Sequence, residues 1–490
     1  MMEPHSCINR TGVMILTGIL LWALLLALYL PGMMIADSVD MLCQAIHNQY
    51  HDWHSPLMSV VWRFLNMIVL GPSLMLVLIE GLFLLGAGLF VSRASTSLFW
   101  RIVIMLLLTF WPPILANLGI VSKDSVFLSL YLVFIAIFLG ALDSPKLQWW
   151  RVAVLILLVL CGSEVRTDGA ALFVPPLAVL FLRTVDQSPK STPARSLSRP
   201  FKWTIAGTMA VATIVVCLVL IGGFHKYIVH ATPRFNTQVE LAFDLAGISV
   251  RADQNLMPSY IRRARIDLGF LKSRYTPLRQ DPLHGTPDTI RNIPVTTNPR
   301  EFSELETAWW HAIVRHPLYY LEHRAAVSAY MLGFGHQLNW QLYQPGTDPN
   351  YLHYCPPLRS ADVQDNNTPL RVLLRDRVMP ALLPTPLFRA YSYILVILGA
   401  AGWAARRMMV RRGRGADSGT TFILAIAAGA VLHEFVLFGA TPGAYFRYQL
   451  PTILSALIVV VLAVQSRIAG SKRRAPTSML AQEMAESVET

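Results

Sequence analysis

Acidic and imidazole side chains gather in one short stretch of this chain: Asp37 and Asp40, then His47, His51, Asp52 and His54. A carboxylate such as Asp37, next to the end of an apolar run, can accept a proton from a hydroxyl at the membrane surface. The plainer reading is an Asp at a helix start, accepting backbone N–H bonds and needing no function. Asp40 and Asp52 read first as structural or merely exposed. The histidines are spaced four and three residues apart, so on a helix they share one face. That face could hold a metal ion, but an amphipathic helix at headgroup level has the stronger claim. Elsewhere, lone basic residues stand at the ends of apolar runs: Lys123 beside Asp124, Arg166 between Glu164 and Asp168, and Arg447 beside Tyr448; Arg63, in the loop after the first run, joins them. Neighbouring acids can pair Lys123 and Arg166, which leaves Arg447 without a local partner. Converging basic groups suit a phosphate or pyrophosphate, because arginine binds it bidentately.

Further on, Trp309-Trp310-His311 and Arg315-His316 precede a tyrosine-rich segment. Trp and Tyr stack on sugars but also mark membrane interfaces, and here the interface reading has the stronger claim. His433-Glu434 and Glu80 fall inside apolar runs, where an ionisable group is a functional candidate.

The elements that must position these groups are membrane helices. Of 490 residues, 54% are hydrophobic and only 14% charged, far below the quarter or so of a soluble domain. A span needs about 20 mostly apolar residues, because nothing in the bilayer satisfies an open backbone. Apolar runs lie near 13–31, 73–91, 102–119, 125–141, 152–165, 169–184, 203–223, 384–404, 420–440 and 446–466. The expectation is an all-α polytopic protein of about ten spans, within a range of about nine to twelve.

The net charge of +12 sits mainly in short loops between runs: Arg93 and Arg101, Lys146 and Arg151, Arg183 to Lys202, and Arg406 to Arg414. With Arg10 and the Arg467–Arg474 tail, these fall on one face, which argues against nucleic acid and for two cytoplasmic termini. The domains expected are 1–223 with an outer loop at 31–72, an extracytoplasmic and mainly helical 224–383, membrane helices over 384–466, and a tail at 467–490. Segment 317–334 is apolar enough to lie in the interface or re-enter the membrane. Cys43 and Cys355 would both lie outside, where a disulfide can join them.

In this order the features resemble the lipid-linked-sugar glycosyltransferases of the GT-C superfamily, especially protein O-mannosyltransferases, the aminoarabinose transferase of lipid A, and their bacterial relatives. That family carries an acid just after the first span, matched by Asp37. A D-x-H-P-P-L-like segment follows, matched by Asp52-Trp53-His54-Ser55-Pro56-Leu57 with Ser for the first Pro. Asp124, Arg166-Thr-Asp168-Gly169 and Arg447-Tyr448 match later elements. The family's Asp-Glu pair is Asp37-Ser38 here, which leaves Asp37 and Asp40 both open as the catalytic acid.

The resemblance implies sugar transfer from a polyprenyl-phosphate donor to a lipid, glycan or protein acceptor, on the outer face of a bacterial cytoplasmic membrane. In it, Asp37 takes the acceptor's proton and Asp124 binds a divalent metal ion or orients the base. Lys123, Arg166, Arg447 and Tyr448 hold the donor phosphate, and Asp52, His54, Trp309 and His316 bind substrate. A glycan polymerase or ligase and a lipid or anion transporter are the alternatives.

Overall fold

The computed structural model describes residues 4–187, 197–284, 292–334, 347, 355, 358, 367–410 and 417–467. Among these residues there are helices and isolated bridges but no strand. Among the described residues eight helices are long and apolar enough to cross a membrane: Arg10–Tyr29, Ser73–Ala94, Lys123–Asp143, Asp168–Gln187, Arg199–Ile228, Ala390–Val410, Ser418–Gly439 and Phe446–Arg467. The chain is thus a multi-pass membrane protein.

Two of the ten expected spans depart from a single long helix. Leu98–Phe110 and Pro112–Leu118 bend by 64°. Trp111 is extended ahead of Pro112, as the proline ring requires of its predecessor. Counting that pair as one span gives nine. Trp149–Val165 has 17 residues and stops where Arg166 turns extended to reach two acids. Length and composition therefore support eight or nine spans rather than ten.

Lys123–Asp143 is the most buried of the spans. Phe127, Tyr131, Phe134 and Phe138 recur along one side of it and stack in sequence, with Phe173 and Phe422 against them. Gly86 lets the Ser73–Ala94 helix approach closely, since a Cβ there would lie 2.9 Å from the Val133 nitrogen. At the end of the bundle opposite the candidate site, Arg183 donates to the carbonyls of Ala141 and Leu142 at 2.6 Å, and Arg101 to that of Ser95 at 2.7 Å. The loop arginines thus satisfy carbonyls that helix ends leave open.

The loop after the first span forms two short helices, Ala36–His47 and Pro56–Asn66. The first stops at Asn48, which takes the left-handed conformation at φ 53°. His51 and His54 therefore do not continue a helical stripe with His47. Instead His51 bridges Thr232 and the chain doubles back. Cys43 is disulfide-bonded to Cys355 across 312 residues.

The helices Gln238–Ala252, Pro299–Arg315 and Pro317–Leu332 form an outer body, outside the candidate membrane spans on whichever side of the bilayer, around Phe243, Ile248, Leu305 and Val327. Pro317–Leu332 has 16 residues; it buries His323, Arg324, Val327, Ser328 and Met331 and leaves Leu318 and Leu321 exposed. Inside this body Asp244 accepts from Arg324 at 2.6 Å and from Trp309 at 2.8 Å, with His323 at 2.9 Å. Arg324 also donates to the Thr441 carbonyl at 2.7 Å. Tyr445 donates to Asp281 at 2.9 Å, so the outer body is docked on the loop before the last span.

Arg324→Met would leave Asp244 charged, buried and missing its strongest partner, a loss that costs about 3–5 kcal/mol. Thermal unfolding in detergent should show a clear drop in Tm. The double variant with Asp244→Asn should lose less than the sum of the single changes.

Candidate functional site

Asp37 lies in the first turn of the Ala36–His47 helix but does not cap it. The open N–H of Ile35 goes to the Ser38 hydroxyl at 3.2 Å, which frees the Asp37 carboxylate for Arg447 at 3.1 Å. Asp40, one turn on, meets His51 at 3.2 Å and accepts from Gln44 at 2.8 Å. His54 lies between the two acids, 4.0 Å from Asp37 and 3.8 Å from Asp40.

From Arg447 the arrangement continues inward. Its Nε lies 3.3 Å from Asp124, which is buried in the first turn of the central span. Asp124 also pairs with Arg166. Arg166 holds Asp168 with two nitrogens, at 3.1 and 2.5 Å, and His433 stands 3.8 Å beyond. The result is a continuous run of alternating bases and acids, His51–Asp40–His54–Asp37–Arg447–Asp124–Arg166–Asp168–His433. Tyr448 fits against both arginines, its ring centre 4.3 Å from the Arg166 guanidinium and 5.7 Å from that of Arg447.

This geometry sets the charge states. Burial would raise the Asp37 carboxyl, but Arg447, His54 and Lys123 outweigh it and hold it well below the ordinary carboxylate range. Asp40 is lowered too: its burial is outweighed by His51, His54 and Gln44. Burial pushes His54 down to about 4, against the pull of Asp37 and Asp40, so it is neutral at pH 7. The site keeps unused capacity. Arg447 has a buried Nη1 with no hydrogen-bond partner. Lys123 makes no hydrogen bond or ion pair among the described residues, yet its charge acts on Asp37 and His54. Asp37 and Asp40 stay 25% and 33% exposed, so the acid end is open to solvent.

Some expected residues fall elsewhere. Asp52 accepts the Arg234 backbone N–H and fixes the loop on Thr232, outside the run of charges. Trp309 commits its indole N–H to Asp244 inside the outer body, and His316 stacks on Tyr319. Neither touches the acid cluster. Arg63 acts on Tyr50. Arg447, without a partner nearby in sequence, finds Asp37 and Asp124. Glu164 turns away from Arg166 to accept from Ser55, from the Leu57 N–H at 3.0 Å, and to meet His225 at 3.1 Å.

Among the described residues, one trio of His, Cys or acid groups has its ligand atoms mutually within 4.8 Å: Cys43, His47 and Cys355, two of them joined as the disulfide. Asp124 already faces two guanidiniums, whose charge opposes a divalent cation there, so orienting its neighbours is its better-supported role. Sequence reasoning missed Glu240, whose carboxyl burial pushes up to about 8. It sits on an ordinary amphipathic helix with no local motif.

Searches against protein-family models, curated proteins and solved structures gave no match.

His54 carries a pH dependence with a fixed sign. Its folded pKa of about 4 lies below the ordinary 6.5, so the unfolded chain takes up the proton first. The stability it contributes is complete above about pH 6.5 and erodes as pH falls toward 4. Melting temperatures at pH 7 and pH 5 should therefore differ more for the wild type than for His54→Gln. An equal drop in both would assign the acid sensitivity to other groups.

Proposed function

We propose that this protein is a glycosyltransferase that moves a sugar from a polyprenyl-phosphate donor to an acceptor at the outer face of a bacterial cytoplasmic membrane. The observation that carries the reading is the Asp37–Arg447–Asp124–Arg166 arrangement at one end of a helix bundle. It presents an open carboxylate beside two guanidiniums where membrane helices meet the outer body. A donor with a lipid tail and a charged phosphate needs both surroundings at once.

The ion pairs suggest a sequence of events. In the resting protein Asp37 is a poor base, because Arg447 stabilises its ionised form. A donor phosphate engaging the unpartnered Nη1 of Arg447 competes with Asp37 for that guanidinium and raises the affinity of the carboxylate for a proton. Asp37 then takes the proton of the acceptor hydroxyl while its oxygen bonds to the anomeric carbon. The bond from that carbon to the phosphate oxygen breaks, and its electron pair leaves on the phosphate. Arg447, Arg166 and Lys123 stabilise the charge released. One base suffices for this displacement, which inverts the anomeric centre.

A glycan polymerase or ligase would use the same groups and differ in the size of the donor. The transporter reading draws on Glu80, fully buried within the Ser73–Ala94 span with both carboxyl oxygens unpartnered.

Transfer of radiolabelled sugar from a polyprenyl-phosphate donor into membrane material should fall by about 100-fold or more in Asp37→Asn at equal expression. Undiminished transfer would move the base to Asp40. No transfer by the wild type with any of several sugars would favour the transporter.

A further inference from the structure

The helix that carries Asp37 ends on three donor atoms suited to a soft metal ion. Cys43 and His47 stand four residues apart on Ala36–His47, so they project from one side of its last turn. His47 Nδ1 lies 3.5 Å from the Cys43 sulfur. Cys355 brings the second sulfur, and the three atoms lie within 4.8 Å of one another. A tetrahedral zinc ion, with bonds of about 2.3 Å to sulfur and about 2.05 Å to nitrogen, holds two such atoms about 3.5 Å apart. The Cys43–His47 pair already has that spacing. Cys355 is buried and His47 exposed, so the group is closed on one side and open to an entering ion on the other.

The disulfide is not the sole tie that brings Cys355 here. Thr347, eight residues earlier, accepts the Met34 N–H at 2.9 Å. Cys355 and Leu358 are both buried in the main core, and the Leu358 N–H returns to the Cys355 carbonyl at 2.9 Å. Breaking the sulfur–sulfur bond therefore leaves both sulfurs beside the same imidazole.

We propose that, once the Cys43–Cys355 disulfide is reduced, Cys43, Cys355 and His47 bind a zinc ion that replaces the covalent tie on the Asp37 helix. The site is independent of the transfer reading, since it needs neither donor nor acceptor.

The chemistry balances in two steps. A dithiol gives two electrons and two protons to the disulfide and becomes a disulfide itself, leaving two cysteine thiols. Zinc then displaces one proton from each thiol and bonds both thiolates. The sulfurs part to about 3.8 Å, the edge of a zinc tetrahedron. In the oxidised protein His47 Nδ1 faces the Cys43 carbonyl at 3.0 Å. On binding, Nδ1 gives its lone pair to the metal and Nε2 carries the ring proton. Water fills the fourth position. Thiolate and imidazole select zinc over hard cations such as magnesium. Two thiolates also cancel the charge of the ion, so a partly buried place gains no net charge.

The test uses the full chain in detergent, reduced with a dithiol that is then removed under nitrogen. Cobalt(II) serves as the spectroscopic substitute for zinc. The reduced wild type should bind cobalt with a thiolate-to-metal band in the near ultraviolet and the strong visible bands of a tetrahedral site. Zinc should bleach both, and the disulfide form should show neither. Zinc should also raise the Tm of the reduced protein toward that of the oxidised one. His47→Ala keeps the disulfide, so an oxidised Tm equal to wild type shows that it folds. After reduction it should bind cobalt about tenfold or more weakly. Cys43→Ser retains Cys7, Cys161 and Cys217, and should lose the band. No band in the reduced wild type, an equal band in Cys43→Ser, or unchanged affinity in His47→Ala would overturn the site.

Discussion

Asp124 is 3% exposed at the start of the central span and touches two guanidiniums. A carboxylate there, alone, would cost several kcal/mol and would be neutralised rather than tolerated. Arg166 and Arg447 make its charge sustainable, and each arginine is itself sustained by a second acid, Asp168 or Asp37. One buried charge thus fixes the relative places of the loop after the Arg10–Tyr29 span, the central span, the turn after Trp149–Val165 and the start of the Phe446–Arg467 span. The pieces of the site need no common local structure. Their charges cannot be separated without leaving one of them orphaned in a poorly hydrated place.

The outer body attaches to this arrangement through polar contacts as well as apolar ones. Arg324 ties Asp244 to Thr441, and Tyr445 reaches Asp281. A rearrangement of the loop from Thr441 to Arg447 therefore moves both the grip on Asp37 and the seat of the outer helices. Chemistry at the acid cluster and recognition by the outer body share one loop.

The membrane character was legible because hydropathy is a local property, and all ten apolar runs became helical. The two departures came from Pro112 and from the pull of two acids on Arg166, effects that a window average smooths away. Asp37, Asp124, Arg166 and Arg447 stood out in sequence because charges at the ends of apolar runs are costly and so carry meaning. Their pairing was not legible: Arg447 and Asp37 are 410 residues apart. The His47–His51–His54 stripe failed for a backbone reason, the left-handed Asn48, which side-chain spacing cannot register. The bond from Trp309 to Asp244 was not legible either, because an indole that stacks on sugar and one that bonds a buried carboxylate look alike in sequence. Glu240 lay hidden in an ordinary amphipathic pattern.

The same 410-residue separation bears on how the chain is made. Asp37 is made 410 residues before its guanidinium partner, which lies in the first turn of the Phe446–Arg467 helix. Cys43 likewise waits 312 residues for Cys355. Until those partners arrive the loop after the Arg10–Tyr29 span has neither its ionic nor its covalent anchor, so insertion of the Phe446–Arg467 helix is the step that closes the site. A chain stalled before that point inserts most of its helices yet leaves the acid cluster open, a state that quality control at the membrane can read as unfinished.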